Sequence, residues 1–246
     1  MKILLIGATG AMGKIIAQLI TEEDTVEIAA GVGAHPATAN FPVYSNFEGI
    51  KEDFDCIIDF SNKSLTPALL RFIQSRRKRA VIATTGLSPQ LLKQIHDLSQ
   101  STPILYAQNM SVGINAIDTL VAQLSKVLED FDIEIIEKHH HHKLDAPSGT
   151  AELLFNTIKA TRKKAYMVKD RSLQHQKRDP AEVGVLSLRG GSIVGEHSVI
   201  FAGTDEVIEI KHTALSKKIF GKGAIKAARF LMEKEKGLYT MKDVLA

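Results

Sequence analysis

Lys2-Ile3-Leu4-Leu5-Ile6-Gly7-Ala8-Thr9-Gly10-Ala11-Met12-Gly13 decides the fold of the N-terminal part of the chain. Residues 2–6 are a short apolar run rich in branched side chains, the pattern of a buried parallel strand. Gly7 ends the run, and Met12, Ile15, Ile16, Leu19 and Ile20 then recur at helical spacing. The glycines fall as G-x-x-G-x-x-G across a strand-to-helix turn. Small residues at such a turn let the backbone approach a pyrophosphate, and the helix N-terminus offers N–H groups and a positive dipole end. Taken alone, the pattern also suits a tight turn with close helix–strand packing.

Outward from this loop, further strands are predicted at residues 26–30, 56–60, 80–83 and 103–107, with helices across 67–75 and 89–99. Strands alternating with helices of this length imply right-handed crossovers and a doubly wound, Rossmann-like parallel sheet, so the fold class is α/β. The character changes after Asn109. A long helix at about 113–128 is followed by an alternating strand at 132–137, a histidine loop and a helix from Ser148. Strands at 183–188, 198–202 and 207–212 lack long helices between them and read as an antiparallel, partly solvated sheet in a smaller α+β domain. A last helix at 219–232 carries a small apolar stripe (Ala224, Ile225, Ala227, Ala228, Leu231) suited to packing on another layer.

With 246 residues the chain is long enough for one large or two small domains. Its ordinary composition excludes collagenous and broadly disordered classes. No apolar run approaches the roughly 18 residues of a membrane span, and the opening residues are too short a run for a secretory signal. Cys56 is the single cysteine, so no disulfide framework exists and a reducing cytoplasm is the expected compartment. The net charge of +3 is too small to point to nucleic acid. It is unevenly spread, with eight Lys or Arg between Lys159 and Asp179 against only Asp170 and Asp179. That stretch is either a solvated face or a positive field attracting a small anion.

An acid that would bind an adenosine ribose is expected about 20 residues beyond the glycine loop. The sequence there is Ile28-Ala29-Ala30-Gly31-Val32-Gly33-Ala34-His35, with no acid. Its absence removes repulsion against a 2′-phosphate. No Arg stands ready to clamp one, although His35 can contribute, so the choice between NADPH and NADH stays open.

The most informative stretch is Glu134-Ile135-Ile136-Glu137-Lys138-His139-His140-His141-His142-Lys143-Leu144-Asp145-Ala146-Pro147-Ser148-Gly149-Thr150-Ala151. Four consecutive histidines read as a purification tag, a zinc site or a solvated loop. The run is internal, and nothing in its spacing supports tetrahedral ligation, so no metal site is expected. Ser148 precedes a helical run opened by Gly149 and Thr150, which puts backbone N–H groups and a hydroxyl at a helix N-terminus, a ready carboxylate site. Lys143 supplies an ammonium beside it, and a histidine exchanges protons near neutral pH. A proton donor, an anion pocket and a nicotinamide-type loop in one chain point to reduction of an unsaturated, carboxylate-bearing substrate.

The run E-[IV]-x-E-x-H-x-x-x-K-x-D-x-P-S-G-T-A, matched at every fixed position from Glu134 through Ala151, resembles the signature of the 4-hydroxy-tetrahydrodipicolinate (dihydrodipicolinate) reductases of bacterial lysine biosynthesis. The resemblance extends to Gly7 through Gly13, Ala83-Thr84-Thr85-Gly86, Ala107 through Gly113, Arg189-Gly190-Gly191, Gly195-Glu196-His197, Phe201 through Glu206 and Phe220 through Ala224. It implies a dinucleotide-binding domain from residues 1–109 and 217–246, a substrate-binding domain from 110–216 whose sheet builds a homotetramer, and hinges near 110–112 and 215–218. It implies His139 as acid/base and Lys143 as proton donor, with His140, Gly149 and Thr150 holding substrate carboxylates. The residues implied to line the NADPH or NADH cofactor are Gly7, Ala8, Thr9, Gly10, Ala11, Met12, Ala83, Thr84, Thr85, Ala107, Gln108, Asn109 and Met110. The implied substrate is a small dicarboxylate that loses water and is reduced, with neither nucleic acid nor membrane as partner.

His141 and His142 occupy free positions of that signature and read as loop residues. Asp145 stays open between holding the loop and taking part in the chemistry. Two other readings remain at this point: a different two-domain nicotinamide-dependent dehydrogenase, and a nucleotide-sensing protein with a vestigial site.

Overall fold

The computed structural model describes residues 1–34, 39–172 and 174–246. His35 therefore lies outside the described residues. The chain divides into two compact units, Met1–Val112 with Lys217–Ala246, and Gly113–Ser216.

The first unit begins with β1 (Lys2–Ile6), α1 (Ala11–Thr21), β2 (Glu27–Val32), β3 (Val43–Tyr44), β4 (Cys56–Asp59), α2 (Thr66–Arg76), β5 (Arg79–Ile82), α3 (Pro89–Ser99) and β6 (Pro103–Tyr106). Alternate residues of the strands supply opposite faces, as the period of two requires. Ile3, Leu5, Ile58, Val81 and Leu105 share one core with Ile16 and Leu19 of α1, while Leu4, Ile6, Ile57, Ile82 and Ile104 share the other with Leu69 and Ile73 of α2. Burial on both faces explains why β1 and β4 read as unbroken apolar runs. Cys56 is fully buried, and that burial pushes its thiol up to about 12, which makes it inert. Local signals place the helix starts: Pro89 follows Ser88, whose hydroxyl accepts the Leu91 N–H at 3.3 Å.

The second unit follows with α4 (Val112–Val127), β7 (Asp132–His139), α5 (Gly149–Thr161), β8 (Tyr166–Val168), β9 (Glu182–Arg189), β10 (Gly195–Ala202) and β11 (Val207–Ala214). Its sheet runs β11-β10-β7-β9-β8 and is mixed. Here the expected antiparallel sheet is corrected. β10 is antiparallel to both β7 and β11, but β9 is parallel to β7 and to β8. Residues 140–181, which hold α5 and β8, are long enough for the crossover that parallel pairing needs. The link 190–194 between β9 and β10 then passes the end of β7, bonded there by Gly190 N–H to the His139 carbonyl (2.9 Å) and by His141 N–H to the Gly191 carbonyl (3.2 Å). Gly191 sits at φ +48°, where a glycine is least strained.

The basic stretch is partly structural. The Arg162 guanidinium donates to the carbonyls of Ser125 in the last turn of α4 and of Leu128 and Phe131 beyond it. Arg171 pairs with Glu182, and Arg178 with Asp132 and Glu134. Five lysines of the stretch remain exposed.

The chain returns to the first unit with α6 (Lys218–Met232), β12 (Gly237–Tyr239) and α7 (Met241–Leu245). The small residues of α6 pack on the face that holds Leu5 and Val81, and β12 adds a strand beside β6. All seven strands of the resulting sheet, β12-β6-β5-β4-β1-β2-β3, are parallel. The short β3, β8 and β12 were not anticipated, since runs of two or three residues carry little periodicity. No helix of the described residues is long and apolar enough to cross a membrane.

One contact fixes α6 closely. A Cβ built on Gly223 would lie 1.7 Å from the Met110 carbonyl oxygen, so backbone meets backbone there. Gly223→Ala is expected to lower the thermal midpoint by several degrees, although alanine is the better helix former by about 1 kcal/mol. A thermal melt of the variant checks this; an unchanged or raised midpoint would refute the close approach.

Candidate active site

In the first unit the predicted nucleotide residues follow directly on three strands of one parallel sheet: Gly7 after β1, Ala83 after β5 and Ala107 after β6. They therefore share its carboxyl edge, the edge at which open α/β sheets hold ligands. Gly7 (φ +81°) and Ala8 donate their N–H groups to the Val32 carbonyl, at 2.9 and 3.0 Å, so the loop is pinned to the end of β2. A Cβ on Gly13 would fall 2.2 Å from the Gly7 oxygen, and one on Gly7 would fall 2.6 Å from the Phe60 oxygen. Gly10 caps α1 without a side chain, and no acid lies in the first turn. The N–H groups of Ala11 and Met12 begin that turn, where no intrahelical carbonyl reaches them. This small-residue cradle at a helix N-terminus fits a pyrophosphate.

Beside it, Thr84 turns its hydroxyl away from the edge, donating to Asp59 Oδ2 at 2.7 Å. The Ser61 N–H donates to Asp59 Oδ1 at 3.0 Å. Asp59 is fully buried, and burial pushes its carboxyl up while the bonds from Ser61 and Thr84 pull it back. Thr84 therefore has its backbone, not its hydroxyl, to offer a ligand, and Asp59 braces the turn. Its sequence signal is an acid closing the apolar strand β4. Thr85 and Gln108 are exposed, Ala83 and Met110 buried, and Ala107 and Asn109 half-buried. Asn109 Oδ1 accepts the Ser111 N–H at 2.8 Å.

The second unit gathers the remaining predicted residues. On one face of its sheet Ile133, Ile135, Val183, Val185 and Val199 form the core. Further along the same face the side chains turn polar: Glu137 and His139 on β7, Arg189 on β9 and His197 on β10, with Glu137 opposite His197 and His139 opposite Arg189. His139 Nδ1 lies 2.6 Å from Glu137 Oε2, and Arg189 makes two parallel bonds to the same carboxylate, at 2.7 and 2.8 Å. Glu137 is fully buried, which alone would raise its carboxyl. Bonds from Arg189, Ser187 and His139 overcome that and hold it down to about 2.

Ser148 is the N-cap of α5. Its hydroxyl oxygen accepts the Ala151 N–H at 3.2 Å and lies 2.8 Å from His197 Nε2. Burial first, and then the neighbouring His139, push His197 down to about 4. His197 and the Ser148 hydroxyl thus share a buried hydrogen bond, and the first turn with Gly149 and Thr150 follows this braced cap. Lys143 holds Asp145 through both carboxylate oxygens, at 2.7 and 2.8 Å, and its hydrogen bond lowers the Asp145 carboxyl. Asp145 thus anchors Lys143 within the loop. His140 is half-buried. His141 and His142 are exposed, with their Nε2 atoms 2.8 Å apart. Arg189 and His197 were present in the sequence only as part of a broad resemblance, without roles.

A glycine cradle at the edge of a doubly wound parallel sheet, joined in one chain to a mixed-sheet unit bearing a histidine–lysine loop, defines a dinucleotide-dependent oxidoreductase of two units. Residues 1–110 match the family described as dihydrodipicolinate reductase, N-terminus, and residues 113–245 match dihydrodipicolinate reductase, C-terminus. The chain belongs to the dihydrodipicolinate reductase family. It is 46% identical over 245 residues to the 4-hydroxy-tetrahydrodipicolinate reductase of Caldanaerobacter subterraneus, covering 99% of this chain and 98% of that protein. It is 42% identical to the protein of the same name from Clostridium novyi, with coverage of 99% and 98%. Among solved structures, the dipicolinate-bound dihydrodipicolinate reductase of Paenisporosarcina sp. TG-14 superposes with a TM-score of 0.82 at 21% identity, over 97% of each chain. Myo-inositol 2-dehydrogenase of Lactobacillus plantarum shares the fold at 9% identity, with a TM-score of 0.64 over 99% of this chain and 93% of that one.

The low value at His197 has a consequence for stability. Between about pH 6.5 and 4 the unfolded chain takes up a proton at this position that the folded chain does not, so stability falls as pH drops through that window. His212, also lowered by burial, acts in the same direction. His197→Gln, which keeps an acceptor for Ser148, is expected to flatten the fall. Urea midpoints measured from pH 7 to pH 4 on both proteins test this, and parallel curves would contradict it.

Proposed function

We propose that this chain reduces 4-hydroxy-tetrahydrodipicolinate to tetrahydrodipicolinate with loss of water, using NADPH or NADH, in the amino-acid biosynthesis that leads to diaminopimelate and lysine. The observation that carries this reading is the loop from His139 to Ser148. It ties two proton-bearing side chains to their own carboxylates and ends at the N-terminus of α5. The shared name of close, full-length relatives supports the same reaction.

The nicotinamide cofactor, when bound, supplies a hydride. The residues that would hold it are the Gly7 to Met12 loop, Ala83 to Thr85 and Ala107 to Met110. The first turn of α5, with Gly149 and Thr150, binds a substrate carboxylate through N–H groups and the positive end of the helix dipole, assisted by His140. His139 presents Nε2, the nitrogen turned away from Glu137, for proton exchange. Lys143 adds a positive charge where negative charge develops on the ring and donates the proton that quenches it.

A carboxylate selecting NADH through the ribose is absent from Gly33. A Cβ there would lie 2.5 Å from Thr9 Oγ1, so an acid at this position would have to displace the loop threonine. The missing acid leaves NADPH tolerated, and a strong NADH preference in the two measured dissociation constants would contradict this reading of Gly33. The test is purified protein with either cofactor and the product of pyruvate–aspartate semialdehyde condensation, followed by nicotinamide absorbance. Substrate-dependent oxidation is expected. His139→Gln and Lys143→Ala should each lower kcat by about 100-fold or more with nucleotide affinity unchanged. No oxidation by the parent protein would end the proposal.

We infer that the second unit builds a homotetramer. The sheet face opposite the core carries Ile136, Leu186, Leu188 and Ile200, with Leu186 and Leu188 40% and 49% exposed. An apolar patch of this kind marks an interface between copies. Leu188→Glu is expected to reduce the sedimenting mass from four chains to fewer; a parent protein that sediments as a single chain would exclude the assembly.

A further inference from the structure

We infer that Glu137 and Arg189 are positioning residues that decide which nitrogen of His139 exchanges a proton, an inference that rests on the reductase reading above. Besides His139, the groups bonded to the buried Glu137 carboxylate, which are Arg189, the Ser148 N–H and the Ser187 hydroxyl, donate to it. Oε1 accepts from Arg189 (2.7 Å) and from the Ser148 N–H (3.1 Å), and Oε2 accepts from the other Arg189 nitrogen (2.8 Å) and meets His139 Nδ1 at 2.6 Å. An ionised carboxylate only accepts, so the His139 hydrogen stands on Nδ1 and Nε2 is left for substrate.

Gly195 packs against Nε2 without a side chain to cover it. A Cβ on Gly195 would lie 3.1 Å from it, closer than most side chains tolerate. Arg189 extends the same control to the lysine. Besides its two bonds to Glu137, it donates to the Asp145 carbonyl at 2.6 Å, and the Asp145 carboxylate grips Lys143. One guanidinium from β9 therefore contacts the holders of both proton-bearing side chains. The charged and titratable groups around His139 are Glu137 on its own strand, Arg189 on β9, His197 on β10 with its ring centroid 5.1 Å away, and Lys143 and Asp145 in the loop.

Glu137→Gln is the informative change. Its amide brings two hydrogens to a place where every neighbour already donates. It must face an Arg189 N–H and, in addition, either the Ser148 N–H or the His139 Nδ1–H. Moving the imidazole hydrogen to Nε2 relieves the second conflict, so the variant is expected to switch tautomer.

The experiment uses full-length protein with 15N-labelled histidine, the His139 signals being assigned from their loss in His139→Gln. The parent protein should show the Nδ1–H tautomer, and Glu137→Gln a shift toward Nε2–H. The same variant should lose about 10- to 100-fold in kcat, with KM changed by less than about threefold and NADPH affinity unchanged. Arg189→Lys should recover at least about tenfold of the kcat lost in Arg189→Met, since lysine keeps the charge but not the paired geometry. An Nε2–H tautomer in the parent protein, or a folded Glu137→Gln with the parent kcat, would overturn the inference. If Glu137→Gln does not fold, the parent tautomer and the Arg189 pair decide it. If the parent protein oxidises neither cofactor with substrate, the reductase reading falls, and the tautomer measurement still judges the positioning claim.

Discussion

A fully buried carboxylate is the constraint on which the second unit depends. Removing Glu137 from water carries a penalty of several kcal/mol unless donors replace the lost solvation. Those donors come from the end of β7 itself, the backbone at the start of α5 and the end of β9, which are 2, 11 and 52 residues away in the chain. Neutralising one side chain therefore holds strand, neighbouring strand and helix N-terminus in register. Depriving such a carboxylate of its main partner costs on the order of 3–5 kcal/mol, much of it the residual buried charge. The sheet face shows why the group sits where it does. It is apolar as far as Ile135 and Val185, and the next inward positions, Glu137 and Ser187, begin the polar zone. The ion pair lies where the apolar packing stops and the polar cluster begins.

Both units present helix N-termini, and they are prepared differently. α1 follows a cap with no side-chain bond, and its loop is shaped by backbone contacts that would clash with almost any Cβ. That suits a ligand whose negative charge is spread over several oxygens and must come close to the main chain. α5 is capped by Ser148, itself braced by a neutral His197, so the first turn is stiff. A stiff first turn suits one compact carboxylate that must be held in a fixed direction. The neighbouring basic stretch contributes less field than its count implies, because Arg162, Arg171 and Arg178 satisfy carbonyls and carboxylates of the fold itself.

Legibility in the sequence followed the range of the interactions. The parallel sheet was readable because its central strands are continuous apolar runs and helices of that unit follow local signals, the glycine loop before α1, Thr66-Pro67 and Ser88-Pro89. The order and direction of the strands in the second unit were not, since the link 190–194 looks like a hairpin and instead strides past β7. His139, Lys143 and Ser148 stood out for the same local reason, being close together in one loop. Asp59 and Arg189 did not, because their partners, Thr84 and Glu137, are 25 and 52 residues away.

The distinction has a physical root. A cap, a turn or an amphipathic period is satisfied within a few residues, so composition and spacing record it. Charge compensation in a core is satisfied by whatever segment the topology brings past, and here the parallel pairing of β9 with β7 sets His139 opposite Arg189. Had β9 paired with β10, as the short link between them suggested, that register would not follow and the Glu137 carboxylate would need another cation. The corrected strand pairing and the placement of Arg189 are therefore one fact, and the tautomer of His139 depends on it.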